Sequence, residues 1–487
     1  MAEQNISNNE VDIRKNKIEE LKKMKEIPYK EKFERTCTIA EARESVGKYV
    51  KIAGRIIFKR VMGKFGFIQI RDFFAKIQVS VGRNELSEED YDFYKKMIDI
   101  ADFVGVEGEV YITQTGEVTV KAEKVTLLSK TMRPLPEKFH GLNDTETIYR
   151  QRYLDLITNE QSRRVFLTRS KVESFIRRYL EDNGFIEVET PVLQTSVSGA
   201  SAKPFYTHHN ALDIECNLRI AKETWLKQCI CAGIDRVYEL GKDFRNEGMD
   251  TTHLQEFTQV EWYASYWNFE DNLKFFHTMI IKLLNECIGT TKVQCKGKEI
   301  DFDSEWPRIN YVERLREILG FDFLSETDLG EFKRKVVEKG VFTYGDLEEC
   351  KSIRTLIDYI YKRKIRAEIF EPTIIYNYPA VLMPLARRND KDDRIVDAFQ
   401  VVADGAELVK AYSELVDALL QRKLLEEQLE EKAQGDEETM DVDEDFLLSM
   451  EHGMPPISGL GFGIDRFVQF IYDLPNIRDT VLFPLMR

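Results

Sequence analysis

The sequence predicts an α+β protein in which a small β-barrel precedes a larger domain of helices and strands. Its 487 residues are about three times the usual domain length, so two or three domains are expected. From about residue 48 to 128, short alternating runs are broken by glycines. From about residue 145 onward, amphipathic helices mix with strand-like segments without the strand–helix alternation of a doubly wound sheet.

Composition places the chain among globular proteins. Hydrophobic residues make up 43% and charged residues 32%, which supports large buried cores and excludes a wholly disordered or fibrous chain. No stretch approaches the ~18 uninterrupted apolar residues of a membrane helix, and the N-terminus lacks an apolar signal region. We therefore expect a cytoplasmic protein with no membrane association.

Charge and metal-binding residue types exclude several functional classes. The formal charge of −15 argues against indiscriminate binding along a nucleic-acid backbone, so a nucleic-acid partner would need local basic patches. The seven cysteines are scattered and form no Cys-x-x-Cys pair, and the six histidines form no His-x-x-x-His signature. Neither a disulfide framework nor transition-metal catalysis is expected.

Residues 1–35 are predicted to form a basic helical extension. The segment 12–34 has a helix-forming composition that Pro28 should end, and its first half carries six basic residues against two glutamates. Two interpretations remain open: a solvated helix, or a cationic contact to a phosphate backbone.

Residues 36–132 are predicted to form the barrel. Alternation broken by glycines indicates about five strands, which is compatible with an OB-fold whose outer face binds oligonucleotides through aromatic and cationic side chains. In register, Arg60, Phe67 and Gln78 would lie on or near that face, although such a phenylalanine taken alone is more often a core residue. Residues 133–150 have the prolines and glycine of a linker.

Residues 151–487 contain predicted helices at 163–183, 270–288 and 328–339, and a predicted surface insertion at 417–445. The usual Gly-rich phosphate-binding loops are absent. Three segments carry chemistry. They are a helix–strand junction at 183–191, strands rich in charged and aromatic residues at 244–261, and a glycine-rich strand entering a helix at 459–466. The last two suit a small anionic ligand, a phosphate or a purine.

In this order and spacing, the chain resembles class II aminoacyl-tRNA synthetases, and over nearly its whole length the lysyl-tRNA synthetases among them. GFIEVETP matches motif 1, FRNEG with the following histidine and phenylalanine matches motif 2, and GLGFGIDR matches motif 3. Further lysyl-type stretches are RPLPEKFHGL, YRQRYLDLI, LRIAKETWLKQ, PLARRND and EHGMPP.

The resemblance implies an antiparallel sheet flanked by helices for the catalytic domain, an OB-fold that reads the tRNA anticodon, and a homodimer. It implies that L-lysine reacts with ATP to give lysyl-adenylate and pyrophosphate, and that the lysyl group then passes to the 3′ end of tRNA(Lys) with release of AMP. Both steps require charge neutralisation and alignment, for which arginines and Mg²⁺ are suited.

The resemblance also implies residue roles. The ATP-site residues, of which Arg245 and Arg466 are also expected to be catalytic, are Arg245, Glu247, His253, Phe257, Glu407 and Arg466. Glu407 is the candidate Mg²⁺ ligand. The lysine-site residues are Gly199 and Glu223 at the α-amino end, Arg245 at the carboxylate, and Glu261, Tyr263, Tyr412 and Glu414 elsewhere. In the barrel, Arg60, Phe67 and Gln78 match anticodon-binding positions, with Glu123 a weaker candidate.

Two positions depart from the family pattern. Gln400 stands where a metal-binding glutamate is usual, and Lys410 stands where an asparagine is usual. We hypothesise that the Lys410 cation compensates for the lost metal ligand. Two alternative functions remain: an aspartyl or asparaginyl enzyme, disfavoured by the acidic residues of the lysine site, and a catalytically weakened paralogue that binds RNA or acts as a regulator.

Overall fold

The computed structural model describes residues 2–136, 144–200, 202–433 and 442–487, and for residues 2–8 and 430–433 it describes only the backbone. The chain forms two compact units, Met1–Arg163 and Arg164–Arg487. Residues 137–143 of the predicted linker and the acidic stretch 434–441 lie outside the described residues. No helix in the described ranges is long and apolar enough to span a membrane.

The first unit contains a barrel with helices before, within and after it. Its elements are α1 Ala2–Lys23, α2 Ile39–Arg43, β1 Tyr49–Met62, β2 Phe65–Arg71, β3 Lys76–Gly82, α3 Glu88–Met97, β4 Phe103–Ile112, β5 Val118–Ser129, α4 Thr145–Arg150 and α5 Arg152–Thr158.

The five strands close into a barrel in the order β1-β2-β3-β5-β4, with β4 pairing back to β1. Only β3 and β5 run parallel. Alternate residues of each strand point inward, and Ile52, Ile68, Val79 and Val106 are fully buried there. This confirms the predicted five-stranded OB-fold.

Helix α1 departs from the sequence prediction at its end and in its contacts. It ends at Lys23, before Pro28, which is therefore not the residue that stops it. Arg14 is almost fully buried and donates to a carbonyl of the loop before β4 (3.0 Å), and Lys17 forms an ion pair with Asp99 (2.7 Å). Two of the cations that could have met a phosphate backbone are therefore bound within the unit.

The second unit is built on a large mixed sheet. Its helices are α6 Glu160–Asp182, which begins just before the unit boundary, α7 Glu223–Cys231, α8 Phe269–Ile288, α9 Tyr311–Leu319, α10 Leu329–Glu338, α11 Ile353–Lys364, α12 Ala418–Ala433, α13 Glu444–Glu451 and α14 Ile464–Ile471. Its strands are β6 Ile186–Glu187, β7 Leu193–Gln194, β8 Tyr206–His209, β9 Ile214–Leu218, β10 Arg236–Phe244, β11 Glu256–Ser265, β12 Lys292–Cys295, β13 Lys298–Asp301, β14 Arg308–Asn310, β15 Thr373–Pro379, β16 Ile395–Ala403, β17 Ala406–Ser413 and β18 Ile457–Gly463. Short 3₁₀ helices span Phe323–Ser325, Arg366–Glu368, Ala380–Leu382 and Ile477–Thr480.

The main sheet has the order β14-β15-β16-β17-β18-β11-β10-β6 and is antiparallel except for its two outermost pairs. One face packs on α6, α8 and α14 through a large apolar core that includes Trp262, Phe276 and Phe467. The smaller helices α9, α10 and α11 pack with the outer strands in a second core. The antiparallel sheet flanked by helices is confirmed. The face of the sheet opposite α6, α8 and α14 carries polar side chains.

Candidate functional site

The polar face of the main sheet forms the floor of a cavity of about 620 Å³. Side chains alternate along each strand, so the residues on either side of Trp262 point away from the apolar core. Gly461 lies between Lys410 of β17 and Glu261 of β11 in the register of the sheet. Since Gly461 and Gly463 have no side chains and have open space above them, the floor is open at these two positions, whereas the space over Gly459 is filled by Tyr263 and Glu414.

All twelve residues predicted for the ATP and lysine sites line this one cavity. They come from parts of the chain more than 260 residues apart, and the sheet brings them together. They are Gly199, Glu223, Arg245, Glu247, His253, Phe257, Glu261, Tyr263, Glu407, Tyr412, Glu414 and Arg466.

Strand β17 sets the order of the groups along the cavity. Glu414 and Tyr412 lie at one end, Lys410 in the middle and Glu407 at the other end. Leu408 of β17 has no paired residue on β16, so the strand forms a β-bulge at this position. Without this bulge, strand alternation would turn Glu407 to the opposite face of the sheet.

The acidic end is held by a buried ion-pair network. Lys227 Nζ contacts Glu223 Oε1 (2.7 Å) and Glu414 Oε2 (2.5 Å), and the hydroxyl of Tyr412 donates to Glu223 Oε1 (2.6 Å). Glu223 is the first residue of α7, and Lys227 lies one turn later on the same helix face. Two carboxylates at the acidic end of the cavity are therefore paired with one buried cation, Lys227.

Glu261 is the third buried carboxylate. Its Oε1 accepts a hydrogen bond from Gln259 Nε2, whereas its Oε2 has no hydrogen-bond partner among the described residues. Glu414 Oε1 likewise lacks a side-chain partner. Burial raises the pKa of Glu261 to about 7 and that of Glu414 to about 8, even though Lys222 acts to lower the first and Lys227 the second. Buried acceptors without donors indicate a cationic ligand.

Gly199 packs against the start of α7. Its φ of +83° is a left-handed conformation that favours glycine, and an added Cβ would lie 3.2 Å from the Ala221 Cβ and 3.3 Å from the Glu223 Cβ. Glycine here allows the backbone to pass close to Glu223.

The motif 2 residues occupy the end of β10, the start of β11 and the loop between them. The guanidinium of Arg245 lies 5.1 Å from the centre of the Phe257 ring, and its Nε donates to the carbonyl of Ile220 (3.4 Å). Glu247 and His253 are exposed on the loop, where His253 Nδ1 lies 2.8 Å from Asp250 Oδ2. Arg245 is thus partly fixed, while Glu247 and His253 remain open to a ligand.

Arg466 lies in the first turn of α14, and its position is fixed by its neighbour. Asp465 is buried, accepts the backbone N–H of Thr258 (2.5 Å), and pairs with Arg169, which also donates to Thr258 Oγ1 (2.9 Å). Arg466 Nη1 lies 3.5 Å from the carbonyl of Glu407. The contacts of Asp465 and Arg169 with Thr258 hold the start of α14 against β11. Phe257 is the residue next to Thr258 on that strand.

Gln400 and Lys410 are cross-strand neighbours. Gln400 Oε1 accepts from the hydroxyls of Tyr361 (2.6 Å) and Tyr378 (2.9 Å), and its amide Nε2 donates to Glu407 Oε2. The amide oxygen is therefore turned away from Glu407. Lys410 lines the cavity, and its ammonium group forms no hydrogen bond or ion pair with another described residue.

The fit of Mg²⁺ rests on Glu407. Among the described residues, no three histidine, cysteine, aspartate or glutamate side chains are arranged to hold a metal. Mg²⁺ in nucleotide sites commonly takes one or two protein carboxylates and completes its shell with phosphate and water oxygens. One carboxylate facing the cavity fits an ion that arrives with a nucleotide.

The barrel carries its own candidate surface. Arg60 and Phe67 are direct cross-strand partners, and Gln78 lies opposite Gln69 in the next row. Arg60 is exposed, Phe67 and Gln78 are half-buried, and Gln78 Nε2 donates to Thr119 Oγ1 (3.0 Å). These three side chains share the outer face of β1, β2 and β3.

Glu123 lies at the edge of this surface. It is exposed at a bulge of β5. Lys121, two residues earlier on β5, lies in the same cross-strand row as Phe67. After burial, its charge is the largest influence raising the pKa of Tyr49.

Sequence reasoning missed three groups at these sites. Lys227 stands in the quoted stretch LRIAKETWLKQ, and its spacing of four from Glu223 was the available signal. Asp465 stands inside motif 3, but nothing in the sequence shows that it clamps β11. On the barrel, Phe65 packs edge-to-face on Phe67 with ring centres 4.9 Å apart.

The comparisons with known proteins agree with this geometry. The family model of class II tRNA synthetases (D, K and N) matches residues 144–487, and that of the OB-fold nucleic acid binding domain matches residues 50–128. Lysine–tRNA ligases of Staphylococcus aureus strains MRSA252, MW2 and Mu3 are each 41% identical to this chain over 493 residues, covering 99% of this chain and 99% of the relative. The chain belongs to the class II tRNA synthetases of the aspartate, lysine and asparagine group.

Proposed function

We propose that this protein is a lysine–tRNA ligase, which activates L-lysine with ATP and transfers the lysyl group to tRNA(Lys). The observation that carries the proposal is the set of three buried carboxylates at one end of the cavity, Glu223, Glu261 and Glu414, of which the first and the last pair with the buried Lys227. Two of these carboxylates keep an oxygen without a side-chain donor.

The charges of the acidic end match a substrate with two ammonium groups. With all three carboxylates ionised, Lys227 offsets one negative charge and leaves two. The adjacent ion pairs of Arg219 with Glu239 (2.6 Å) and of Lys222 with Asp243 (2.5 Å) add no net charge. An aspartate side chain would be repelled, and a neutral asparagine would leave buried carboxylates unpaired.

Within this pocket, Gly199 and Glu223 would receive the α-amino group, and Glu261, Tyr263 and Glu414 would surround the ε-ammonium group. Tyr412 acts through its hydrogen bond to Glu223. A pocket that hydrogen-bonds a buried ammonium group rejects neutral isosteres strongly.

The arginines supply the charge that activation requires. Arg245 would hold the α-phosphate and the lysine carboxylate, and Arg466 the γ-phosphate, since a guanidinium fork binds two oxygens at once. Phe257 would stack on adenine and Glu247 would accept from its amino group, while His253 lies near the terminal phosphates. The lysine carboxylate then attacks the α-phosphorus, and pyrophosphate leaves.

Mg²⁺ would be held by Glu407 together with the nucleotide phosphates, and it would offset their charge. In the second step, the terminal ribose hydroxyl of tRNA attacks the activated carbonyl, its proton is lost, and AMP leaves. Arg60, Phe67 and Gln78 would bind the anticodon, with Phe67 stacking a base and Glu123 at the margin. The two substrates of the second step, lysyl-adenylate and tRNA(Lys), are consistent with the cytoplasmic location predicted from the sequence.

We also propose a homodimer, formed by the edge of the sheet that carries motif 1. Strand β6 is an outermost strand of the main sheet, and its Ile186 is exposed (55%); Leu193 of the next strand along the chain, β7, is exposed as well (52%). An exposed apolar sheet edge is stabilised by pairing, and a second copy supplies the same surface by symmetry. Sedimentation should give twice 57.0 kDa, and Ile186→Asp with Leu193→Asp should give a monomer.

One experiment separates the proposed enzyme from an RNA-binding paralogue. The protein should form AMP from ATP and attach labelled lysine to tRNA(Lys) only when lysine, ATP and tRNA are present together. A protein that shifts tRNA on a gel but leaves ATP intact at every lysine concentration would contradict the proposal.

A further inference from the structure

Lys227 is a fully buried cation that pairs with two of the carboxylates lining the cavity. Its side chain is 0% exposed, yet it belongs to a helix whose first residue faces the substrate cavity. The rings of Tyr263, Tyr412 and Phe446 surround its ammonium group, with centres 5.7 to 6.0 Å away.

A buried ammonium group is stable only when it is paired. Burial alone lowers the pKa of a lysine, but Glu223 and Glu414 outweigh this effect and keep the pKa of Lys227 above its usual value. The two carboxylates come from different elements, α7 and the residue after β17, so the ammonium group joins two parts of the pocket wall.

The contacts also fix the orientation of each carboxylate. Lys227 holds Glu414 through Oε2, while Glu414 Oε1 keeps no side-chain partner. Lys227 holds Glu223 through Oε1, and the Tyr412 hydroxyl donates a hydrogen bond to the same oxygen. Among the described residues, no other cation is paired with both carboxylates, and without the ammonium group their protonated forms would be favoured further.

We propose that Lys227 is a positioning and specificity-determining residue, whose fixed ammonium group holds Glu223 and Glu414 apart and sets the net charge that selects a diammonium amino acid. This inference rests on the proposed function and deepens it. It predicts that removing the cation weakens recognition of lysine and leaves recognition of ATP intact, since Arg245 and Arg466 do not contact Lys227.

The test is lysine-dependent exchange of pyrophosphate into ATP with Lys227→Ala, in the absence and presence of n-propylammonium chloride. The atoms removed by this substitution are those of n-propylamine, so the free cation can occupy the vacated space. The KM for lysine should rise on the order of tenfold or more, with the KM for ATP within about twofold of wild type. Propylammonium should restore most of the lost lysine affinity, whereas n-propanol should not.

Two further variants separate charge from packing. Lys227→Met fills most of the space without charge and should lose lysine affinity as the alanine variant does. Lys130→Ala removes another buried lysine, paired with Asp102 (2.6 Å) in the barrel, and should lower the melting temperature without changing the KM for lysine or its response to propylammonium.

The outcomes distinguish this inference from the proposed function. If the wild-type protein shows no exchange with lysine, the proposed function is wrong. If the wild type exchanges but Lys227→Met keeps its KM for lysine, or propanol rescues Lys227→Ala as well as propylammonium does, Lys227 has only a packing role. Should the alanine variant not fold, the methionine variant alone decides between these results.

Discussion

The cavity of the second unit and the outer face of the barrel, the two proposed binding surfaces, are built in different ways. In the cavity, Glu223, Glu261 and Glu414 are buried carboxyl groups, and Lys227 pairs with the first and the last of them. On the barrel, Arg60 is exposed and Phe67 is half-buried, and both are placed on the outer face by strand alternation, with Phe67 also packed on Phe65.

This difference has an energetic consequence. A buried carboxylate without its partner costs several kcal/mol, so a single substitution in the cavity should abolish most of the binding of the amino acid. A base that stacks on an exposed ring contributes about 1–3 kcal/mol, and its loss is graded. The cavity should therefore set the identity of the amino acid strictly, and the barrel should tune affinity for tRNA.

The largest effect is expected from neutralising a cavity carboxylate. Glu261→Gln and Glu414→Gln should each raise the KM for lysine roughly 100-fold, about 3 kcal/mol, because a substrate ammonium loses its charged partner. Pyrophosphate exchange measures this, with Glu299→Gln on the exposed hairpin strand β13 as control. A change below fivefold in both variants would mean that the cavity carboxylates do not bind the substrate.

A methyl group on the cavity floor should have the next largest effect. In Gly461→Ala the new Cβ meets only Glu261 Cγ at 3.8 Å, so the protein should fold while kcat/KM for lysine falls on the order of tenfold. Gly459→Ala would bring its Cβ to 2.2 Å from Tyr263 Cε1 and should instead lower the melting temperature. If Gly461→Ala keeps full activity, no ligand lies over that part of the floor.

On the barrel, the matching prediction concerns the contribution of Phe67 to tRNA binding. Phe67→Ala should raise the KM for tRNA about tenfold through lost stacking and leave lysine-dependent pyrophosphate exchange unchanged. Phe103→Ala, which removes an exposed ring held by Arg55 elsewhere on the barrel, should change neither. An equal loss in both variants would show that the barrel was destabilised rather than deprived of a contact.

The pH dependence of lysine binding should show the raised carboxyl pKa values. Bound lysine favours ionised Glu261 and Glu414, whose pKa values near 7 and 8 leave them partly protonated in the ligand-free protein. The KM for lysine should therefore fall severalfold as pH rises from about 6 to about 8. Because the folded pKa of Glu261, about 7, lies above its ordinary 4.5, the ligand-free protein should lose stability as pH rises from about 4.5 to about 7, and lysine should offset the loss. A KM that stays flat from pH 6 to 8 would contradict this.

The smallest effect is expected at Lys410. If its ammonium group supplements the single carboxylate Glu407 near the phosphates, Lys410→Asn should lower activity a few-fold, most of all at low Mg²⁺. Lys292→Asn, on the exposed strand β12, should have no effect. Higher activity of Lys410→Asn at every Mg²⁺ concentration would refute the compensation hypothesis.

Strand and helix patterns were enough to predict much of the architecture. Glycine-broken alternation predicted the five strands of the barrel, and the helices expected at 163–183, 270–288 and 328–339 agree closely with α6, α8 and α10. Helix α1 was predicted less well, because the burial of Arg14 and the ion pair of Lys17 with Asp99 depend on tertiary partners that a local charge pattern does not show.

The cavity residues came from the motif resemblance, and the sheet explains their convergence. What could not be predicted depends on single-residue geometry. The bulge at Leu408 turns Glu407 toward the cavity, and two tyrosine hydroxyls orient the Gln400 amide. Lys227 was missed because a glutamate and a lysine four residues apart on a helix usually indicate a solvated surface pair.

Amino-acid-dependent exchange of labelled pyrophosphate into ATP, run against all the standard amino acids with Mg²⁺, tests the central claim most directly. We expect exchange with lysine alone, which would show that the three carboxylates and Lys227 select a diammonium substrate and that Gln400 and Lys410 are compatible with activation. Exchange with a different amino acid would show that the pocket has been misinterpreted, and no exchange with any would favour an RNA-binding paralogue.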